Sequence, residues 1–508
     1  MINTSAQTAL KNSIYNFISF VLPIIVIVFI TPIIISRWGV KEYGIYIFLN
    51  TITVFLGLLD LGISTATSKH IIEYKAKNQT DKLRDLIYSM NSIYLLMSIL
   101  YFIICVSIGI IIQVMFLERV GVGNNYLLIF FILGLTTSCG SFFANYSNIF
   151  VTIQRYDVQT KISMSFMLLS NVSMLILVLL GYRIIPVLLM QLVLMVISSV
   201  IYVIIAKRVF PIMQFKYYWN KTELIKNYKF GISVAFNNLA NSSLVHFDKL
   251  LIPVFLGNAQ LTYYSVPGSI ATKISSISST FSSLLFPITV NLQSINDTDK
   301  IKRVYIRSIR LITILSSAIS LSIIFLTDKI LFYWLDANFV NQSSKVLILL
   351  VLTNFTLALF SPLSNLLTAM NKMKFLTTSS IVMAIINIIS LFIFLPIYGI
   401  NGAALSYLIS VLFIFFMLHY SEKKYFHIKE NIHLKLLTKI IITTIPFFII
   451  VRFLLSPLIT NMTKLIIAGP VSVIVFMILY KTFGFVEKED WDEATTSVRK
   501  IFNKLSIK

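Results

Sequence analysis

The sequence predicts an all-α polytopic membrane protein of about fourteen transmembrane helices, on three observations. These are its composition, the length of its apolar runs and the placement of its basic residues. Of 508 residues, 57% are hydrophobic and 12% charged, and mean hydropathy is +0.86. A soluble domain carries roughly twice that charged fraction. Apolar stretches such as 93–112 recur along the chain and suit helices crossing ~30 Å of hydrocarbon. Alternating segments of about ten residues, the mark of a membrane β-barrel, are absent.

The spans centre near residues 24, 55, 99, 138, 171, 195, 242, 276, 315, 356, 386, 410, 446 and 473. With the N-terminus inside, the even-numbered connections and both termini carry 32 of the 42 Lys and Arg residues, the odd-numbered connections 8. Lys249 and Lys273 lie within spans. Such a bias over short loops orients the chain with both termini in the cytoplasm. The net charge of +22 is thereby explained as topology, and nucleic acid is excluded as a partner. The first apolar run follows Lys11 and continues past Pro23 and Pro32 without a small-residue cleavage site, so no cleaved signal is expected. Cys105 and Cys139 fall inside spans and outside any CxxC pair, which reads as buried apolar packing.

The chain repeats internally. "SNIFVTIQRYDVQTKIS" (147–163) aligns without gaps on "SNLLTAMNKMKFLTTSS" (364–380) at an offset of 217. The same shift brings "GYRIIP" (181–186) onto "YGINGA" (398–403), and a shift of 218 brings Gly39 onto Gly257. Six spans separate the copies, so the halves share one orientation and are related by an axis along the membrane normal, with a cavity near the midplane. The expected organisation is a six-helix bundle over 1–207, a cytoplasmic linker over 208–230, a second bundle over 231–420, two extra helices over 421–483 and a cytoplasmic tail over 484–508. That tail reads as an amphipathic surface helix or a solvated one.

Local sequence then narrows the class. "ISRWGVKEYGIYIFLNTITVFLGLLDLGIS" (35–64), the "QRYDVQTK" loop (154–161) and the Gly399–Gly402 turn together resemble the Wzx-type O-antigen and capsular polysaccharide flippases of the MOP (MATE-like) exporter superfamily. The resemblance implies a V-shaped alternating-access transporter in the bacterial cytoplasmic membrane. Its substrate would be undecaprenyl-diphosphate-linked oligosaccharide, moved from the inner to the outer leaflet. It also implies membrane lipids as partners, with polysaccharide polymerase and chain-length proteins as candidates, and H+ or Na+ as candidate coupling ions. The alternatives are a MATE-like cation-coupled small-molecule exporter and a lipid II flippase. Absence of charge on the first span between Lys11 and Arg37 departs from the cavity arginines of lipid II flippases.

Charges within spans mark pathways. Lys273 lies roughly 16–18 Å into the eighth span at 1.5 Å per residue, among "SIATKISSISSTFSS", whose hydroxyls suit sugars. Its alternative role is to pair with a carboxylate. Lys249 either lines the cavity or snorkels to the outer surface. Asp248 needs a partner, for which Lys273 and a bound cation are candidates. Asp60 is an ion-coupling carboxylate or a structural acceptor. Arg155 and Lys372, on equivalent inner loops, are placed to meet an entering diphosphate or to act as positive-inside anchors. By resemblance to the cation site of lipid II flippases between spans seven and eleven, Asn241 and Asn387 join Asp248 and Asp60 as ion candidates. Arg37, Lys41 and Glu42 anchor the outer rim.

No HExxH, GxxxxGK[ST], GxSxG or DFG arrangement occurs, and the five histidines lack metal-ligand spacing. Neither a cofactor nor an enzyme activity is expected. Short outer loops leave no room for the external catalytic domain of a membrane polymerase.

Overall fold

The computed structural model describes residues 6–60, 62–115, 126–153, 155–283, 285–294, 297–428 and 432–487. The expected tail helix therefore lies almost wholly outside the described residues. Among those residues the chain forms sixteen α-helices and no strand. They are α1 (Ala6–Gly57), α2 (Ile63–Ala76), α3 (Thr80–Met115), α4 (Tyr126–Phe142), α5 (Ala144–Thr152), α6 (Tyr156–Leu179), α7 (Ile184–Val209) and α8 (Lys221–Leu256). There follow α9 (Asn258–Ser283), α10 (Leu285–Ser294), α11 (Thr298–Phe325), α12 (Thr327–Trp334), α13 (Ala337–Ala369), α14 (Met373–Phe426), α15 (Ile432–Ile449) and α16 (Met462–Thr482).

Nine described helices are long and apolar enough to cross a membrane, or eleven when two bent pairs count as single spans. The predicted fourteen are not all recovered by length and apolarity. Two long helices, α1 and α14, each pass through a glycine of positive φ, Gly39 and Gly399, and α9 is too rich in Ser and Thr to qualify. Prolines inside α1, α8, α9, α13, α14, α15 and α16 fit this setting. In membranes, neighbouring helices and hydroxyl side chains satisfy the carbonyls that proline frees.

The internal repeat is visible in the backbone. Gly39 (φ 79°, ψ 163°) and Gly257 (φ 89°, ψ 164°) take nearly the same conformation. In the other aligned turn Gly181 and Gly399, one residue apart at the offset of 217, are also positive in φ. In the polar loops, Ile153 N–H donates to Ile149 O and Arg155 N–H to Phe150 O. Met370 donates to Leu366 and Lys372 to Leu367, each pair displaced by the same 217 residues. A gap-free alignment of low identity thus marks one loop geometry built twice.

Contacts divide the chain into two compact units, Met1–Thr262 and Tyr263–Lys508. The first ends beyond the 208–230 linker because α8 packs on α1, α2 and α3. At its start the Tyr74 hydroxyl donates to Glu223 (2.6 Å), and Asn227 Nδ2 donates to Thr67 Oγ1 (2.9 Å). Past its end, Thr262 Oγ1 donates to Val40 O (2.6 Å), and Gly44 leaves room for the Asn258 carbonyl, which a Cβ would strike. The repeat is a relation of sequence, and the units a relation of contact.

Within the first unit, a core of Leu86, Ile87, Met90, Tyr146 and Phe150 joins α2, α3, α5 and α7. Between the turns at Gly39 and Gly181, Glu42 accepts from Arg183 and from the Ile184 amide, and Trp38 Nε1 donates to Tyr182 O (2.9 Å). Glu42 is therefore the rim anchor expected of it. In the second unit, Ala318, Phe447, Val451 and Phe476 weld α15 and α16 onto α11.

Candidate functional site

The α9 helix carries the firmest candidate. It runs unbroken from Asn258 to Ser283, so Lys273 sits ~22 Å along a helix of ~39 Å. One side of α9 faces α13. There Ser275 Oγ donates to Asn354 Oδ1 (2.7 Å), Ser282 shares a hydrogen bond with Ser361 (2.7 Å), and Ser343 donates to the Tyr263 carbonyl (2.6 Å). At 100° per residue, Ser275 and Ser282 lie about 200° and 180° around the helix from Lys273. The half-buried Lys273 therefore points away from α13, on a stripe with Ser269, Ser276 and Thr280. Among the described residues of its unit, no carboxylate pairs with it.

The hydroxyls on that stripe are already engaged. Ser269 donates to Val266 O (2.6 Å), Ser276 to Thr272 O (2.8 Å) and Thr280 to Ser276 O (2.9 Å). Their oxygens still accept, so the stripe offers one ammonium and a row of acceptors rather than free donors.

Asp248 is 2% exposed and its Oδ1 takes the Lys249 amide (2.7 Å). Lys249 is half-buried on the adjoining face of α8. Asn241, two helical turns earlier, is exposed. These three belong to the first unit, whereas Asn387 is buried in α14 of the second.

Asp60 lies where the chain breaks between α1 and α2. A 3-10 turn (Leu58–Asp60) and Gly62 at φ 70° separate the helices. Asp60 Oδ2 accepts from the Ser64 amide (3.2 Å) and hydroxyl (2.8 Å), satisfying an orphan donor of the α2 N-terminus. Tyr94 and Tyr101 of α3 stand within its electrostatic reach.

The two repeat-related polar loops differ in chemistry. Arg155 makes a bidentate pair with Asp157 (Nε–Oδ1 2.9 Å, Nη2–Oδ2 3.1 Å), which raises the guanidinium pKa above its ordinary value. Lys372, at the equivalent place, has its Nζ 5.5 Å from the centroid of the Tyr425 ring. Both are exposed.

One buried cluster escaped the sequence reading. Glu422, 2% exposed, accepts from the Tyr305 hydroxyl (2.9 Å) and lies 2.8 Å from His433 Nε2, beside a cavity of about 200 Å³. Its only sequence signal is one of two acids in the basic stretch "HYSEKKYFHIKE". Among the described residues no group of His, Cys, Asp and Glu forms a metal site.

Fold and apolarity define an all-α protein with nine to eleven helices or bent pairs, among the described residues, long and apolar enough to cross a membrane. The chain is similar to the structure described as "Lipid II flippase MurJ, inward closed conformation" (16% identity, TM-score 0.68, covering 93% of this chain and 99% of that one). It is also similar to an inward-facing multidrug resistance MATE family transporter of the MOP superfamily (14% identity, TM-score 0.56, 84% and 97%). At those identities the likeness is one of fold. The chain belongs to the polysaccharide biosynthesis protein family, whose profile matches residues 38–344. A curated relative, "Putative O-antigen transporter" of Shigella flexneri, is 22% identical over 202 residues. That match covers 40% of this chain and 48% of the relative, about half its length. The expected membership of a polysaccharide family is borne out by the family profile, and the expected MOP-type fold by the solved structures.

Proposed function

We propose that this protein flips undecaprenyl-diphosphate-linked oligosaccharide from the inner to the outer leaflet of the bacterial cytoplasmic membrane by alternating access. Both termini are cytoplasmic in this reading, as the basic bias of the even connections requires. A sugar–diphosphate head group cannot cross hydrocarbon unaided, because its charges and hydroxyls would lose their hydration. The observation that carries the reading is the α9 stripe. Lys273 stands mid-helix with no carboxylate partner among the described residues of its own unit, beside the oxygens of Ser269, Ser276 and Thr280. The ammonium meets diphosphate and the oxygens accept from sugar hydroxyls. Membership of a polysaccharide family supports the sugar part.

Asp248 is the coupling carboxylate for H+ or Na+ in this scheme, with Asn241 of the same helix as the further candidate in its unit and Asn387 as a separate candidate in the second unit. Lys249 serves the outer half of the path, and Arg155 and Lys372 guide the head group at the inner mouth. A polymerase and a chain-length protein receive the product, and the chain itself catalyses no reaction. The test is deletion of the gene with leaflet-resolved tracking of lipid-linked sugar. Accumulation on the inner leaflet is expected, and unchanged outer delivery of the glycan overturns the reading.

A further inference from the structure

Two spans of the first unit are interrupted, and a set of oxygen atoms gathers at their breaks. The first break parts α1 from α2 at Asp60, and the second parts α4 from α5 at Phe143. Beside both runs the intact α3, packed on α2, α4 and α5. Tyr94 of α3 faces the side chains of Asp60 and of Asn148 on α5. Two helical turns further along α3, Tyr101 faces Ser141 at the end of α4. Tyr94 is 3% exposed, yet its hydroxyl makes no hydrogen bond among the described residues. Other polar groups on these helices are paired: Asn145 Nδ2 donates to Asn91 Oδ1 (2.8 Å), and Ser138 Oγ to the Ser98 carbonyl (2.6 Å). A buried hydroxyl left unpaired is costly, so a partner belongs between Tyr94 and the groups it faces.

The chemistry of those groups identifies the partner. Ser64 donates its amide and its hydroxyl to the same oxygen of Asp60, Oδ2, which leaves Oδ1 for a ligand. No basic side chain pairs with Asp60 among the described residues. One carboxylate, a phenol and an amide thus face one another, next to carbonyls that a helix leaves unbonded at its end. Oxygen ligands with a single negative charge suit a hard monovalent cation, and broken membrane helices coordinate Na+ with such groups. A divalent ion would call for further carboxylates. A proton would need Asp60 alone and would leave Tyr94 unexplained. The set also belongs to one half of the repeat. At offsets of 217 and 218, Tyr94 falls on Leu311 or Ile312, Tyr101 on Ala318 or Ile319, and Ser141 on Ala358 or Leu359. A purely architectural role would be kept in both copies.

We propose that Asp60, Tyr94 and Asn148 form a Na+ site at these breaks, with Tyr101 and Ser141 extending its polar wall. It is distinct from Asp248. The turns at Gly39 and Gly257 meet where Thr262 bonds Val40. Asp60 lies ~32 Å along the chain from Gly39 and Asp248 ~14 Å from Gly257, so the two carboxylates stand at different depths.

Binding of radiolabelled Na+ to the purified full-length protein in detergent, at fixed ionic strength, tests the site. Wild type is expected to retain Na+ that unlabelled NaCl displaces and choline chloride does not. Asp60→Asn lowers the affinity roughly tenfold or more, because the charge is lost. Tyr94→Phe, which keeps the ring and its packing, lowers it severalfold. The unfolding midpoint in choline chloride checks that each variant folds, and the rise in midpoint on adding NaCl is lost in Asp60→Asn. The comparison is repeated in an Asp248→Asn background, so that an ion held by the other candidate carboxylate is not counted, and the difference between Asp and Asn at position 60 persists there. Absence of Na+ retention by wild type above the choline background overturns the site. So does retention by Asp60→Asn or Tyr94→Phe equal to wild type. A difference that vanishes in the Asp248→Asn background assigns the ion to α8 and overturns it as well. Because binding alone is read, failure of the translocation reading leaves this result standing, and failure here leaves that reading intact.

Discussion

The second helix of each repeat begins alike and ends differently. After Gly39 the chain runs to Gly57, breaks at a 3-10 turn and resumes as α2. After Gly257 the helix α9 continues unbroken to Ser283. At the offset of 218, Lys273 corresponds to Phe55 and Ser278 to Asp60. Beyond the rim residues Lys41 and Glu42, each copy thus holds one charge, at a position where the other has none. In the first copy the charge sits at the break and caps the helix that follows. In the second it sits mid-helix, opposite the Ser275–Asn354 and Ser282–Ser361 seam that fixes α9 to α13. An intramembrane charge is therefore informative only with its local backbone: at a break it has donors to satisfy, and on an intact helix it does not.

The largest effect expected from this contrast is at Lys273. Lys273→Ala should abolish outer-leaflet delivery of glycan in cells lacking the wild-type gene, while Lys273→Arg retains part of it. Protein abundance in the membrane should match wild type in both, because no described ion pair in the unit is lost. Full delivery by the Ala variant would move Lys273 to the structural side of the comparison.

Next come the turns that start both helices. Gly257 and Gly39 occupy a region of φ and ψ that is essentially closed to residues with a Cβ, and the strain is about 1–3 kcal/mol. No atom lies within 4 Å of a Cβ built at either, so the cost is conformational alone. Gly257→Ala and Gly39→Ala should lower the unfolding midpoint in detergent by similar amounts. A marked difference between them would break the equivalence of the two turns.

Much of this was legible in the sequence, for identifiable reasons. Glycine at a positive-φ turn is nearly irreplaceable, so Gly39/Gly257 and the 181/399 pair survive as markers when identity has decayed. The loop at 153–155 and 370–372 was found because its spacing, rather than its side chains, carries the geometry. The Tyr305–Glu422–His433 cluster was not legible, since its members lie on three helices and Tyr305 is 117 residues from Glu422. The hydroxyl-rich run around Lys273 was seen as one sugar-binding surface. It divides into a packing seam and an open stripe only once the neighbour of α9 is known.

A smaller effect sharpens the role of Asp60. Asp60→Asn keeps an oxygen to accept from Ser64, whereas Asp60→Ala removes the acceptor and should cost about 1 kcal/mol, as for other capping residues. If capping is the whole role, the Asn variant should transport like wild type and the Ala variant should be mildly less stable. Loss of transport in Asp60→Asn with unchanged stability would return Asp60 to the coupling candidates and give both copies a working charge.

The smallest effect concerns the inner loops, whose backbones match and whose cations do not. Arg155 is exposed and held by Asp157, and exposed pairs contribute about 0–1 kcal/mol because water screens them and long side chains lose freedom. Asp157→Ala should therefore leave the unfolding midpoint nearly unchanged while freeing the guanidinium. Lys372 has a tyrosine ring instead of a carboxylate beside it. If diphosphate is met at the inner mouth, Lys372→Ala should slow transport more than Arg155→Ala does, and Asp157→Ala should narrow that gap. Equal rates for Lys372→Ala, Arg155→Ala and wild type would make both residues anchors of orientation, which is all that the positive-inside bias requires of them.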